Sequence, residues 1–249
     1  MRAANIRNFL CCVAIALAGA VGSVAPDTAF AQEAPKPSAA FERFRFSFFE
    51  DGDSARQGLD LAALAALEGA ERTRAEDMLI AYLPDDRGII GLGALRSRRA
   101  EPELLRMFVA ERQAQHESVL LPDVFWTPFT LIELAKALWR IEPDPRFPLG
   151  MIDVLASAGD SIARDSAAQA LYDVRDQAVA DALIKALDDP EPLVRHHSAR
   201  GLLAIYGLPA DSKDLEHMTY RVMAKDSARR EGGKRDILAA IAGRPMLAP

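Results

Sequence analysis

The sequence has little cysteine: its two cysteines, Cys11 and Cys12, are neighbours in the first segment. No later apolar run approaches the roughly 20 residues that a membrane-spanning helix needs. The charge is negative, with 36 acidic against 30 basic residues and a net charge of -6. The scarcity of cysteine argues against a disulfide framework, and the lack of a long apolar run argues against a membrane span in the mature chain. The negative charge argues against nucleic acid or an anionic membrane as a partner.

The first segment has the order of a secretory signal peptide. Arg2 and Arg7 precede an uncharged run over residues 9–21, and a small-x-small triplet ends at Ala31. Basic, apolar and cleavable segments in this order are typical of export signals. We therefore predict a signal peptide at residues 1–31, cleavage after Ala31, and a periplasmic or secreted protein. Cleavage would remove both cysteines, so no disulfide or thiol chemistry would remain.

An internal repeat runs through the second half of the chain. Residues 162–174 align with residues 193–205 at an offset of 31, and residues 129–141 join the same frame at an offset of 33. Small residues occupy one place in each copy, at Ala135, Ala168 and Ala199, and leucines occupy another, at Leu138, Leu171 and Leu202. Three aligned copies indicate a repeat architecture.

Each copy has a helical pattern, because its apolar and small residues recur at spacings of three and four. Residues 147–156 and 178–187 show the same pattern before two of the copies. The turn at Asp189, Pro190 and Pro192 cannot continue a helix. One helix pair cannot bury its apolar faces alone, so we predict an all-α fold, an α-solenoid of stacked antiparallel helix pairs.

The outer segments fit this frame less closely, and the pairing of helices in residues 55–100 stays open. The predicted organisation is a linker at 32–40, an N-terminal cap and degenerate helical repeat at 41–100, helical repeats at 101–207 with an insertion at 114–128, and C-terminal capping helices at 208–249.

The repeats resemble the HEAT-repeat family, in the short form also seen in the phycobilin-lyase group. The resemblance rests on Asp189, on Val194 with Arg195, and on the small residues before Leu202. It implies a right-handed solenoid in which turn acids and arginines link neighbouring repeats as a ladder. The ladder residues would be Asp160, Arg164, Asp189 and Arg195. Leu131 stands where the earliest copy would have its arginine, so we expect the ladder to break there.

The resemblance also implies that the second helix of each pair lines a concave groove. We predict a non-catalytic scaffold that binds a protein partner, of unknown identity, through this groove. The predicted groove residues are Arg164, Asp165, Gln169, Arg195, His196 and Arg200.

Two segments interrupt the repeat and are further candidates for partner contact. Residues 41–49 alternate aromatic and charged side chains, which is compatible with a short strand or with an aromatic helix that caps the first repeat. Residues 116–127 form a stretch that either packs on the solenoid or projects as an aromatic contact loop. The contact residues in that loop would be Leu120, Leu121, Phe125 and Trp126.

Motifs for catalysis are scarce, and no cofactor is expected. The chain has no glycine-rich phosphate loop, nucleophile elbow or His-Glu-x-x-His run. His196 and His197 are adjacent, whereas a metal pair on one helix needs a spacing near four, so His217 would have to complete any metal site. An enzyme or ligand-binding protein, lyase-like or metal-dependent, is the alternative function. The tetrapyrrole lyases of the resembling group act in the cytoplasm, which disfavours that role for an exported chain.

Overall fold

The segments whose sequence has a helical periodicity form helices in the described part of the protein. The computed structural model describes residues 36–49, 58–120, 128–208 and 212–247, and these residues contain helices and turns but no strand. From residue 37 onward the chain forms one compact unit. The predicted signal peptide lies outside the described residues.

The described residues form twelve α-helices and one short 3-10 helix. In chain order the α-helices are α1 (Ala39–Phe49), α2 (Leu61–Ala65), α3 (Gly69–Ala81), α4 (Asp86–Leu95), α5 (Glu101–Leu120), α6 (Phe129–Ile141), α7 (Arg146–Ser157), α8 (Ser161–Ala170), α9 (Gln177–Ala186), α10 (Pro192–Ile205), α11 (Lys213–Val222) and α12 (Ser227–Ile241). The 3-10 helix, Leu171–Asp173, continues α8. None of these helices is long and apolar enough to cross a membrane.

The helices pair in sequence order, which gives five helical repeats. Helix α3 packs on α4, α5 on α6, α7 on α8, α9 on α10 and α11 on α12. The second helices of these pairs, α4, α6, α8, α10 and α12, also pack on one another in that order. The fold is therefore an all-α solenoid, and the pair α3–α4 supplies the pairing that the sequence left open.

An aromatic helix caps the first repeat. Residues 39–49 form α1, which begins inside the predicted linker and packs on α2. Phe41, Phe44 and Phe48 are fully buried. Their spacing of three and four places them on one side of a helix, whereas a strand would have turned Phe41 away from the other two. The helical alternative for this segment is therefore the one that the structure adopts.

Small residues at repeated positions let the second helices approach closely. Ala135, Ala168 and Ala199 are all fully buried, as the repeat alignment leads one to expect. At Gly93 on α4, an added Cβ would lie 2.6 Å from the Cα of Ala137 on α6. Side chains larger than these would force neighbouring repeats apart.

Helix α5 is longer than the sequence predicts. Residues 114–120, assigned to an insertion, form its last two turns, so any insertion before α6 is confined to residues 121–127. Those seven residues lie outside the described residues. Polar residues such as Gln113, Glu117 and Gln115 hide the apolar periodicity here, and Gln113 and Glu117 are hydrogen-bonded side chains one turn apart.

Helix starts are fixed by carboxylate caps in the turns. Asp160 accepts a hydrogen bond from the Ile162 amide and begins α8, and Asp176 does the same for α9 through Ala178. Asp226 caps α12, which begins at Ser227, within the region predicted to hold C-terminal capping helices. Capping of this kind satisfies amides that have no partner within the helix.

Arg164 links two consecutive repeats. Its Nε and Nη2 donate to the two carboxylate oxygens of Asp189 at 2.8 and 3.0 Å. Its Nη1 donates to the carbonyl oxygen of Ala158, in the turn before its own helix. Asp189 also accepts from the Glu191 amide, so one carboxylate holds both its own turn and the previous repeat. The hydrogen bond and charge of Asp189 raise the pKa of Arg164.

Arg195 occupies the same position one repeat later but uses different acceptors. Its Nη1 donates to the carbonyl oxygens of Asp189 and Pro190, in the turn before its own helix. Its Nε donates to the carbonyl oxygen of Val222 at 2.6 Å, at the end of the next first helix. Asp160, which the sequence placed in the ladder, caps its own helix, and Leu131 is fully buried without any charge.

We expect Asp189→Ala to lower the free energy of unfolding by about 2–4 kcal/mol, because it leaves the nearly buried guanidinium of Arg164 without its anion. Urea unfolding followed by circular dichroism measures the change. Glu103→Ala is the matched control, since Glu103 pairs with Arg106 on the exposed surface and its loss should have no measurable effect. Equal effects of the two substitutions would contradict the structural role of Asp189.

Candidate functional site

The second helices α6, α8 and α10 pack side by side and expose polar side chains on a surface here called the second-helix face. Asp165 and Gln169 reach it from α8, and His196 and Arg200 reach it from α10. These four predicted groove residues stand on neighbouring helices that pack together. The fold therefore brings these four residues onto one surface. In the sequence, only the repeat alignment indicates that they lie together.

Two other predicted groove residues do not belong to this face. Arg195 is only 4% exposed, and backbone carbonyls accept its hydrogen bonds. The side chain of Arg164 is 12% exposed and is held by Asp189. Both guanidinium groups point from the first turn of a helix back toward the preceding turn, so they link repeats and cannot contact a partner.

A histidine, a tyrosine and an aspartate meet between α8 and α10. The Nδ1 of His197 is hydrogen-bonded to the hydroxyl of Tyr172, and its Nε2 lies 3.6 Å from Oδ1 of Asp165. The other carboxylate oxygen of Asp165 accepts from Gln169 Nε2 at 3.0 Å. Burial raises the pKa of Tyr172 well above its ordinary value, so its hydroxyl keeps its proton.

The two adjacent histidines of α10 have different surroundings. His196 lies with its Nδ1 3.4 Å from the carbonyl oxygen of Thr219 and its ring beside that of Tyr220. Burial lowers the pKa of both His196 and His197. For His197, Asp165 opposes this effect, whereas His196 and Arg200 add to it. Both imidazoles are therefore neutral at pH 7.

A cleft of about 360 Å³ opens beside this cluster, between α6 and α8. Trp139 and Tyr172 line it together with Arg140 and Gln169. Lys136, also in the lining, pairs with Glu133 one turn away at 2.9 Å. The cleft thus offers aromatic surface for packing, the guanidinium of Arg140 for an anion and the amide of Gln169 for hydrogen bonds. Its lining also contains the carboxylate of Asp173, besides that of Glu133, which Lys136 neutralises.

A second depression, of about 540 Å³, lies on the other side of the solenoid between α7 and α9. It is lined by apolar side chains such as Leu149 and Ile152, with Asp181 and Lys185 also in the lining. It is larger than the cleft but lacks a convergent set of polar groups. The cleft on the second-helix face is therefore the better candidate site.

In the part of the chain that the structure describes, His196, His197 and His217 do not come together as a metal site. His217 is exposed on α11, two residues before the buried Thr219, and side chains two apart on a helix point in different directions. Within the described residues, no group of three or more histidine, cysteine, aspartate or glutamate side chains could hold a metal ion.

The predicted contact loop stays a prediction. Leu121, Phe125 and Trp126 lie outside the described residues. Leu120 is the last residue of α5.

Sequence reasoning missed the aromatic members of the site. Trp139 and Tyr172 align with each other in the repeat, so the alignment already placed them at one position of successive second helices. Successive repeats present equivalent residues on the same surface. Two large aromatic residues at one repeat position were thus the available signal for the cleft. Arg140 follows Trp139 and shares that signal.

The comparisons with known proteins agree with this geometry. Residues 149–230 match a family described as HEAT repeats. The matched range covers α8, α9, α10 and α11, and with them most of the second-helix face. No curated protein matches the chain.

We expect the free energy of unfolding to fall as the pH drops below about 6.5, the ordinary histidine pKa. Below this pH, His197 takes up a proton more readily in the unfolded chain than in the folded protein. Burial lowers the pKa of the folded imidazole, so its stabilising contribution is present above this pH and is lost below it. Urea unfolding at pH 8 and pH 5.5 should show a smaller loss for His197→Asn than for the wild type. His217→Asn, at an exposed position, should keep the wild-type loss, and an unchanged loss in His197→Asn would refute the assignment.

Proposed function

We propose, from the premise that residues 149–230 of this chain are HEAT repeats, that the protein is a non-catalytic scaffold that binds a protein partner through its second-helix face. HEAT repeats are typically protein-interaction scaffolds. The single observation that carries the proposal is the cleft between α6 and α8, where Trp139, Arg140 and Tyr172 surround a space of about 360 Å³.

The composition of the cleft favours a protein segment over a small metabolite. Aromatic residues and arginine are the residue types that contribute most to binding at protein interfaces. The cleft is continuous with the polar surface of α8 and α10, so an extended segment could contact Gln169 and Arg200 after passing Trp139. A small ligand would need a more enclosed pocket than this one.

The charge of the chain bears on the kind of partner. The net charge of -6 disfavours nucleic acid and anionic membranes. Arg140 and Arg200 nevertheless form no hydrogen bond or ion pair with another described residue. Two unpaired guanidinium groups on an acidic protein support a local attraction for anionic groups of a partner.

Site-directed photo-crosslinking tests the proposed binding face. Benzoylphenylalanine at Gln169, exposed beside the cleft, should give a discrete crosslinked product with a cellular protein, and Arg140→Glu in the same chain should remove that product. Val109, 56% exposed on α5 of the opposite layer, is the matched control and should give none. Crosslinking of equal yield at both positions, or insensitivity to Arg140→Glu, would count against the second-helix face.

We also propose that the protein works in the periplasm or outside the cell. The support is the order of Arg2, Arg7, the apolar run and Ala31 in the sequence. N-terminal sequencing of protein recovered from the periplasm or medium should begin at Gln32. A chain that stays in the cytoplasm with Met1 or Arg2 at its N-terminus would refute export.

A further inference from the structure

The carboxylate of Asp165 has one oxygen without a hydrogen-bond donor. Its Oδ1 is buried and has no hydrogen-bond partner among the described residues. The nearest cationic or potentially cationic atom is Nε2 of His197, at 3.6 Å, which is too long for a strong hydrogen bond. A buried carboxylate oxygen without a donor is costly, so Asp165 draws the imidazole proton to Nε2 and favours protonation of His197, whereas burial opposes it.

The tautomer of His197 follows from its two neighbours. A carboxylate can only accept, so the proton of the neutral imidazole stands on Nε2, toward Asp165. Nδ1 then accepts the hydroxyl proton of Tyr172 in the hydrogen bond between them. In this state the Tyr172 hydroxyl is used as a donor within the cluster and cannot donate to a ligand.

Protonation of His197 reverses the role of Tyr172. Both nitrogens of an imidazolium donate, so Nδ1 would donate to the Tyr172 oxygen and Nε2 to Asp165. The hydroxyl proton of Tyr172 is then free to turn toward the cleft, which Tyr172 lines beside Arg140. A proton taken from solvent by His197 therefore creates a hydrogen-bond donor at the wall of the cleft.

We propose that this cleft binds a carboxylate of an acidic protein segment and that His197 takes up one proton when the carboxylate binds. Arg140 and Arg200 attract the segment, and Tyr172 donates a hydrogen bond to the bound carboxylate. The coupling is reciprocal: a bound carboxylate favours the protonated imidazole, and a lower pH strengthens binding.

The charges around His197 explain why the free protein leaves it neutral and why a ligand can change that. Asp165 on α8 favours the proton, whereas burial, His196 and Arg200 on α10 oppose it. Tyr172, in the 3-10 helix, stays neutral. Glu216 and Thr219 on α11 act on His196. A ligand carboxylate placed near Arg200 compensates the charge that opposes protonation, and it adds an acceptor for Tyr172.

This inference rests on the proposed function for the nature of the ligand, a protein segment, but it is tested with a defined peptide and without the cellular partner. The probe is a blocked hexa-aspartate peptide, whose carboxyl groups are ionised above about pH 5. Isothermal titration calorimetry on the whole purified chain measures its affinity at pH 8 and pH 6. The difference between the binding enthalpies measured in two buffers of different ionisation enthalpy gives the number of protons taken up.

The wild-type protein should bind the peptide more than about ten-fold more tightly at pH 6 than at pH 8, because uptake of close to one proton at pH 8 makes the affinity rise about ten-fold per pH unit there. His197→Asn and Tyr172→Phe should retain binding but lose most of this pH dependence. His196→Asn, the neighbouring histidine, should keep it. Arg200→Gln should weaken binding at both pH values.

Equal wild-type affinity at the two pH values, unchanged pH dependence in Tyr172→Phe and His197→Asn, or equally tight binding of blocked hexalysine would each overturn the proposal. If a variant does not fold, the side-chain ¹⁵N signals of wild-type His197 give the answer. Their titration midpoint should rise when the peptide is added, and an unmoved midpoint would overturn the coupling. If crosslinking at Gln169 fails while the peptide still binds, only the proposal that the second-helix face binds a cellular protein is refuted.

Discussion

The structure depends on contact between successive second helices. Each helix pair has two apolar faces and can bury only one of them within itself, so the other face must be covered by the next repeat. Small residues at fixed positions, such as Ala168 and Ala199, allow that contact, and the bond from Arg164 to Asp189 fixes its register. The polar surface on which the candidate site lies exists only because this row of helices is continuous.

Much of this could be predicted from the sequence, and the reason is the repeat itself. When Leu138, Leu171 and Leu202 occupy one position in three copies, the pattern predicts a buried face and a stacked fold together. Aspartates before helix starts and prolines in the turns added the helix boundaries in the centre of the chain. Outside residues 129–205 the copies diverge, so helix pairing and the length of α5 had to come from the structure.

The candidate site was harder to predict, because it is made by contacts between repeats. A helical pattern shows which side of α10 faces outward, and it placed Arg195 there. The pattern does not show that the first turn of a second helix points at the preceding turn, where carbonyl groups take up Arg195. The cluster joins His197 to Tyr172, 25 positions earlier, and to Asp165, earlier still, so no local spacing in the sequence indicates it.

One position of the ladder lacks its arginine, and this changes how the repeats around the cleft are held. Leu131 on α6 has no charge to bind the turn of Asp160, whereas Arg164 and Arg195 tie each later repeat to the next. The first helices of these two repeats are joined by an ion pair between Arg112 and Asp153 at 2.7 Å, so among the described residues only the second-helix side of the junction, at the cleft, lacks a charged link. Among the described residues, Arg140 at the cleft is likewise not used to hold the two repeats together, so its guanidinium stays available to a bound segment.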